Sequence, residues 1–243
     1  MVKNSRLRKC ENYDLDCRGA ISDSSIIISD IRVSRKRSEG ARQNADVYCK
    51  LVPYYPNLGF FVAGSVRLWQ RINAEVIRIS QSVTFDNLLD HEGPLWTTLD
   101  SQAIKDNSDK SSGAIGILLD AKNNQHQLFK VTLDPGNGCI IELIEPGCGQ
   151  IIGTGKNRKT EACIRQFARR SMVREPDGLR KMAHAMRERI RHLLRTEGIG
   201  VFTQTGVSPF MMIAYAHKGG FKLSGEESSG VYVDYITGEA TFF

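Results

Sequence analysis

The side chains best suited to covalent or metal chemistry are the cysteines, of which there are six: Cys10, Cys17, Cys49, Cys139, Cys148 and Cys163. No two of them form a Cys-x-x-Cys pair, and no histidine lies at metal-ligand spacing from any of them. Zinc sites and disulfide frameworks both depend on such recurring spacings. The pattern therefore argues against both, and we expect no metal and no cofactor. Most of the thiols are predicted to pack as small apolar side chains.

Positive charge is the second feature that could bind a partner. The formal net charge is +6, and residues 156–195 hold 13 Lys or Arg against 4 Asp or Glu. Such a cluster can bind the phosphates of a nucleic acid, but it does not interleave with the aromatic residues on which bases stack. The pattern therefore favours two helices with solvated outer faces, or a surface that meets an acidic partner protein, over a nucleic-acid partner.

The length and composition predict one large globular domain. The chain has 243 residues, of which 41% are hydrophobic and 25% charged, so it can bury a core of ordinary size. No apolar run approaches the roughly 18 residues of a membrane span. Residues 1–10 are basic with no apolar stretch behind them, unlike a signal peptide, so we expect a cytoplasmic protein with no membrane partner. We expect a polar N-terminal tail or leader at 1–13 and a single domain at 14–243.

The elements that must position any site follow from hydrophobic periodicity. Alternating or buried β-branched runs predict strands at 15–21, 26–30, 47–52, 60–64, 114–120, 127–133, 139–144, 150–155, 199–203, 210–216 and 230–242. Helical spacing predicts helices at 65–81, within 84–107, at 159–172 and at 177–196. Residues 34–46 are polar and are predicted to form an exposed excursion. The order is strands, helices, strands, helices, strands, which indicates an α+β fold of two antiparallel sheets packed face to face with helices outside each.

Short motifs in this order resemble the first third of a proteasome-type β subunit. They are residues 29–34 (Ser-Asp-Ile-Arg-Val-Ser), 49–52 (Cys-Lys-Leu-Val) and 59–65 (Gly-Phe-Phe-Val-Ala-Gly-Ser), the last of which enters a helix. Residues 152–155 (Ile-Gly-Thr-Gly) resemble the glycine turn before the third helix of the family. The bacterial relatives HslV and Anbu share this order of elements.

The resemblance implies the fold and the chemistry of the N-terminal nucleophile (Ntn) hydrolase superfamily. That fold is a four-layer αββα sandwich whose subunits assemble into rings, and a partner ATPase is a further expectation. The nucleophile is the first residue of the mature chain, and its own α-amine, which titrates near neutrality, accepts the proton. The family's Asp and Lys match Asp30 and Lys50, and the turn whose backbone N–H stabilises an oxyanion matches Ala63-Gly64.

The family's nucleophile has no clear counterpart. Folding the predicted hairpin about residues 22–23 places residues 14–17, Asp-Leu-Asp-Cys, opposite Asp30. Cys17 is the nucleophile candidate there, but its use requires a cut after Asp16, whereas family leaders usually end in Gly. The alternative for Cys17 is a packed strand cysteine, and Cys10 in the tail is a weaker candidate. Residues 205–208 (Thr-Gly-Val-Ser) lie near the place of the family's late acidic residue and serine but contain no Asp.

Three hypotheses follow for the function. The chain is a proteasome-like subunit of a self-assembling ring without its own peptidase activity, or an active Ntn peptidase or amidohydrolase that uses Cys17 after leader removal. The third hypothesis is a basic binding module for nucleic acid or an acidic protein. Each matched residue also has a purely structural alternative: Asp30 as a turn cap, Lys50 as an exposed strand lysine and Gly64 as a tight turn.

Overall fold

A computed structural model of the chain describes part of its residues. They are residues 24–30, 32–36, 42–46, 50–54, 57–106, 111–120, 122–123, 125–145, 150, 152, 162, 165–166, 176–196, 211–217, 220–224, 231–234 and 239–242. Cys10, Cys17, the predicted strands 15–21 and 199–203, and residues 205–208 lie outside the described residues. None of the helices in the described part of the chain is long and apolar enough to span a membrane.

The fold is of the mixed α+β class, with antiparallel sheets. The strands are β1 (Ser24–Asp30), β2 (Arg32–Lys36), β3 (Arg42–Asp46), β4 (Leu51–Tyr54), β5 (Leu58–Ala63), β6 (Ser112–Asp120), β7 (Gln125–Asp134), β8 (Gly138–Leu143), β9 (Met211–His217), β10 (Gly220–Ser224), β11 (Val231–Asp234) and β12 (Glu239–Phe242). The helices are α1 (Val66–Ile79), followed by a 3₁₀ turn at Ser80–Ser82, then α2 (Pro94–Ile104) and α3 (Pro176–Thr196). Residues 162, 165 and 166, within the predicted helix 159–172, are also helical.

A five-stranded antiparallel sheet in the order β4-β5-β6-β7-β8 is the largest unit. The turn between β7 and β8 forms because Gly136 and Gly138 adopt positive φ angles of 75° and 99°, a conformation that costs other residues energy. The strands predicted at 60–64, 114–120, 127–133 and 139–144 are confirmed as β5 to β8, with ends shifted by one or two residues.

Helix α1 forms because its apolar residues recur at helical spacing and its first turn is capped. Ser65 accepts the Leu68 backbone N–H at 3.3 Å, as a serine N-cap does. Leu68, Trp69, Ile72 and Val76 are buried on one face. Helix α2 begins at Pro94, directly after Gly93, since proline suits the first turn of a helix. Both helices pack on one face of the five-stranded sheet.

The core between these helices and the sheet, called the helix-facing core here, is formed by aromatic and aliphatic side chains from α1, α2 and β4 to β8. Phe60 lies at its centre, in an edge-to-face contact with Phe129 at 5.7 Å and another with Tyr54 at 5.4 Å. Asp100 on α2 accepts the backbone N–H of Cys139 at 2.9 Å, which ties α2 to the start of β8.

A three-stranded antiparallel sheet, β1-β9-β10, contacts the opposite face of the five-stranded sheet. Ile27 on β1 is buried in a cluster with Phe61, Ile115, Ile117 and Ile144, called the inter-sheet core here. Ser25 Oγ also lies 2.7 Å from His126 Nε2 on β7. Helix α3 packs against β1 and β9, and Ile213 in the middle of β9 is fully buried.

Several sequence predictions were wrong or shifted. The polar excursion at 34–46 contains a hairpin, β2-β3, in the register Arg32↔Asp46 to Lys36↔Arg42. The two strands are mostly polar in sequence, so they carry no apolar alternation for the sequence to reveal. The single strand predicted at 230–242 is the hairpin β11-β12, and β10 was not predicted. The strand predicted at 47–52 is described only as β4 at 51–54. A strand was predicted at 150–155, but residues 150 and 152, which are the described residues of that range, are not in a strand.

Candidate active site

The turn from β5 into α1 is the most tightly defined part of the predicted site. Gly64 has a φ of 101°, and a Cβ atom there would overlap the Ser112 side chain on β6. The backbone N–H of Ser65 donates to Ser112 Oγ at 2.9 Å, and the Trp69 indole N–H donates to the carbonyl of Ala63 at 3.1 Å. Position 64 must therefore be glycine for two reasons: its positive φ angle and the close approach of Ser112 on the neighbouring strand β6.

Lys50 is held next to this turn by strand pairing. Its carbonyl accepts the backbone N–H of Val62 at 2.9 Å, which continues the β4-β5 register by one residue. Residues directly opposite in an antiparallel pair share a sheet face, so the half-buried Lys50 side chain starts from the face that carries Val62. Val62 belongs to the helix-facing core, so this is not the face that β1 contacts. Gly64 thus lies two residues beyond Val62, the register partner of Lys50, on the neighbouring strand.

Asp30 lies on the facing sheet, where it ends β1 and pairs with Met211 in the register. The direction of β1 follows from two contacts. Ser25 meets His126 near the start of β7, and Ile27 lies in the inter-sheet core further along the sheet. A strand advances about 3.3 Å per residue, so Asp30 lies about 10 Å beyond Ile27. Asp30 is thus at the end of β1 farther from the Ser25–His126 contact.

Of the predicted site residues, Lys50 and Gly64 lie on adjacent strands, and Asp30 lies on the sheet that contacts the opposite face of those strands. Because the Lys50 side chain starts from the helix-facing side, its predicted contact with Asp30 stays a prediction. Cys17 lies outside the described residues, so its predicted role as nucleophile stays a prediction. Ser112 was not predicted as part of this turn, because it is 47 residues from Ser65 and no local pattern marks it.

The Ser25–His126 hydrogen bond was also not predicted. The two residues are 101 positions apart, and each is half-buried where β1 crosses β7. A serine hydroxyl at 2.7 Å from an imidazole has the spacing of a nucleophile and a base. The pair lies at the opposite end of β1 from Asp30, so it is separate from the predicted site. Its evident structural effect is to join the two sheets through side chains.

Cys139 is a poor nucleophile in this structure. Burial raises the pKa of its thiol to about 12, and the Asp100 carboxylate adds to the rise. The thiol donates a weak hydrogen bond to the Trp96 carbonyl at 3.7 Å. The prediction of a packed thiol is confirmed for this cysteine, which is free and buried. Among the described residues, no group of three or more His, Cys, Asp or Glu side chains could hold a metal ion.

The basic segment 156–195 includes α3, and its positive residues are not all solvated. Arg187 is buried, with 8% of its surface exposed, and its guanidinium bonds the Glu188 carboxylate at 3.1 Å. Lys181, Arg189 and His192 are exposed on the same helix. The apolar side of α3 contributes Ala183, Met186 and Ile190 to the buried surface, so the predicted amphipathic helix is confirmed.

The chain matches no protein-family model and no curated protein.

Proposed function

We propose that this chain is a divergent proteasome-type β-like subunit that assembles with copies of itself into a ring and has no peptidase activity of its own. The observation that carries the proposal is the order of packed elements. Helices α1 and α2 cover one face of the five-stranded sheet, the β1-β9-β10 sheet contacts its other face, and α3 packs against β1 and β9. This order supports the four-layer αββα sandwich of the Ntn-hydrolase superfamily.

The residues around the Gly64 turn support the same family. The sequence of elements is a strand ending in Asp30, a strand preceded by Lys50, then a strand that enters α1 through a glycine with positive φ. In an Ntn hydrolase these elements would position an ammonium, a carboxylate and an oxyanion-stabilising N–H around the N-terminal residue. The proposal assigns those positions to Lys50, Asp30 and the Gly64 turn.

The absence of activity follows from the chemistry of the nucleophile. A nucleophile of this type needs a free α-amine on the same residue, since that amine accepts the proton from the hydroxyl or thiol. Residues 14–17 offer one thiol, Cys17, and it acquires a free amine only if the chain is cut after Asp16. Uncut, Cys17 has an amide in place of the amine and no base next to the thiol. The proposed role of the chain is then assembly.

Intact-mass spectrometry combined with a peptidase assay tests this proposal. We expect the purified chain to keep residues 1–16, to leave fluorogenic peptide amides uncleaved and to form no adduct with a peptide vinyl sulfone. A chain that begins at Cys17 and carries the adduct there would contradict the proposal and support the peptidase hypothesis. In that case Cys17→Ala and Lys50→Ala should abolish cleavage, whereas the matched control Cys10→Ala should not.

A further inference from the structure

Strand β8 is one of the two outer strands of the five-stranded sheet, and it presents backbone groups at its outer edge. Ile144, directly after β8, donates its backbone N–H to the Leu128 carbonyl at 2.9 Å. In an antiparallel pair, residues that bond the neighbouring strand alternate with residues whose backbone groups point away from it. The backbone groups of Cys139, Ile141 and Leu143 therefore point away from β7.

Helix α2 covers one end of this outer edge. Asp100 Oδ1 accepts the backbone N–H of Cys139 at 2.9 Å, so the carboxylate lies where a carbonyl of an added strand would lie. In the part of the chain that the structure describes, the outward backbone groups of Ile141 and Leu143 have no hydrogen-bond partner. These two residues, called the free edge here, offer an N–H and a carbonyl each.

The side chains around the free edge are partly apolar and exposed. Ile140 is 54% exposed on the face that lies toward the smaller sheet, and Leu143 is 39% exposed on the helix-facing side. Lysine and proline commonly protect outer strands from pairing with another chain, and β8 contains neither. An outer strand with these properties is suited to bind a further strand.

The other outer strand of the same sheet, β4, is protected in this way. Lys50 accepts the Val62 N–H, so by the same alternation Leu51 and Pro53 point away from β5. Proline has no N–H to donate to an added strand. A head-to-tail pairing of β8 with β4 of another copy would therefore lack a donor at position 53.

We infer that β8 pairs antiparallel with β8 of a second copy, around a two-fold axis at Glu142. Ile141 then lies opposite Leu143 of the second copy, and the axis repeats this pair. Two such pairs exchange about four backbone hydrogen bonds, which use every donor and acceptor of the free edge. A register centred on Ile141 is disfavoured, because it would place the second copy's Leu143 carbonyl against the Asp100 carboxylate.

The side chains of β8 are compatible with this register. Ile140 lies opposite Ile144 of the second copy, so an exposed apolar side chain meets another apolar one. Glu142 lies opposite Glu142 of the second copy, and like charges in this position repel. Each carboxylate is bonded by Lys130 Nζ of its own chain at 2.8 Å. The row across the axis is therefore Lys-Glu-Glu-Lys, with no net charge.

Disulfide cross-linking tests the pairing and its register together. In a Glu142→Cys variant the two copies of position 142 form a non-hydrogen-bonded pair with Cα atoms about 4.5 Å apart, within the range of a disulfide. Ile140→Cys is the matched control, since both side chains are more than half exposed on the same face. The two copies of position 140 would be four residues apart, about 13 Å along the strands.

We expect mild oxidation to link Glu142→Cys into a covalent dimer and Ile140→Cys not to link through position 140. Peptide mass spectrometry identifies the bond and separates it from any that the native cysteines form. Both substituted side chains are exposed, so both variants should keep the wild-type melting temperature. Absence of a 142–142 disulfide, or equal linking at 140, would overturn the inference.

Leu143→Pro tests the backbone hydrogen bonds of the pair. The Leu143 N–H points away from β7, so proline removes a donor to the second copy and keeps the bonds between β7 and β8. We expect the dimer dissociation constant from sedimentation velocity to rise at least about tenfold. The control Leu143→Ala keeps the N–H and should raise it less. Equal effects of the two substitutions, or no effect of proline, would contradict the pairing.

The same measurements separate this inference from the proposed ring, because the pairing requires only β8. A ring-sized particle that cross-links at position 142 supports both proposals. A cross-linked dimer that forms no ring supports the β8 pair and contradicts the ring, whereas a ring without the cross-link contradicts only the β8 pair. A wild-type chain that is monomeric throughout contradicts both.

Discussion

The two faces of the five-stranded sheet differ in how they are packed. The helix-facing core is rich in aromatic rings, whereas the described part of the inter-sheet core is mostly aliphatic. The first includes Phe60, Trp69 and Phe129 in mutual ring contacts, and the second is aliphatic except for Phe61. Because large aromatic side chains bury the most apolar area, we predict that the helix layer and the five-stranded sheet form the more stable half.

This difference bears on where the predicted site lies. The Gly64 turn and Lys50 belong to the five-stranded sheet, but Asp30 is on β1, which is joined to that sheet through Ile27 and the Ser25–His126 bond. Regions with few buried apolar contacts open at lower free energy than the core. We therefore expect the five-stranded sheet, which carries Lys50 and Gly64, to be rigid, and β1, which carries Asp30, to be more weakly attached.

Truncation of one phenylalanine on each face should give the largest effect and compare the faces directly. Phe129→Ala should reduce the free energy of unfolding by about 3–5 kcal/mol, since it leaves a cavity beneath Phe60. Phe61→Ala removes the same ring from the inter-sheet core, where the smaller sheet can close over the space, so its cost should be lower by about 1 kcal/mol or more. Urea unfolding measures both. Equal costs would contradict the proposed difference between the faces.

Gly64→Ala tests whether the turn belongs to the rigid half. We expect a loss of about 2–4 kcal/mol, because alanine strains the backbone at φ 101° and its methyl group overlaps Ser112. Gly136→Ala is the matched control, since it also has a positive φ, 75°, but open space around it. It should cost only the backbone strain of about 1–2 kcal/mol. Thermal unfolding of both variants should show the larger loss at Gly64.

Ile27→Ala should loosen the smaller sheet selectively. A loss of about 2–3 kcal/mol is expected for a buried isoleucine, and amide hydrogen exchange should accelerate in β1 and β9 while β5 to β7 keep their protection. The control Ile140→Ala removes a side chain that is 54% exposed and should change stability by no more than about 0.5 kcal/mol. Uniform acceleration across both sheets would show that they open as one unit.

The smallest effect concerns the ionisation of Cys139 in the helix-facing core. The folded thiol has a pKa raised to about 12 from 9.0, so above pH 9 the unfolded chain loses the proton first and the folded state loses stability. Between pH 8 and pH 10 wild-type protein should lose about 1.4 kcal/mol more than Cys139→Ala. Paired urea titrations at the two pH values measure this difference. If wild type and Cys139→Ala lose the same stability between these pH values, water reaches the Cys139 thiol and its pKa is not raised in the folded state.

The parts of the fold that the sequence could predict are those decided by local periodicity. The helical spacing of Leu68, Ile72 and Val76 marked α1, and the runs at 127–133 and 139–144 marked the strands β7 and β8. The β2-β3 hairpin was missed because its strands are mostly polar, with Val33 and Ala45 as their one apolar pair, so no alternation distinguishes them from a loop.

The candidate site was predictable only in part for a similar reason. A glycine between a strand and a helix indicated the Gly64 turn, and the structure gives that glycine a positive φ. The partners that fix the site come from distant strands: Ser112 for the turn, and His126 for the attachment of β1. Such contacts depend on the register between sheets, which neither residue type nor spacing reveals in a single sequence.

The most direct test of the proposed function is electron microscopy of the purified, intact chain. If the chain is a proteasome-type ring subunit, class averages should show closed rings with a central opening. A uniform population of 27.2 kDa monomers, at concentrations well above those used for imaging, would contradict the central claim.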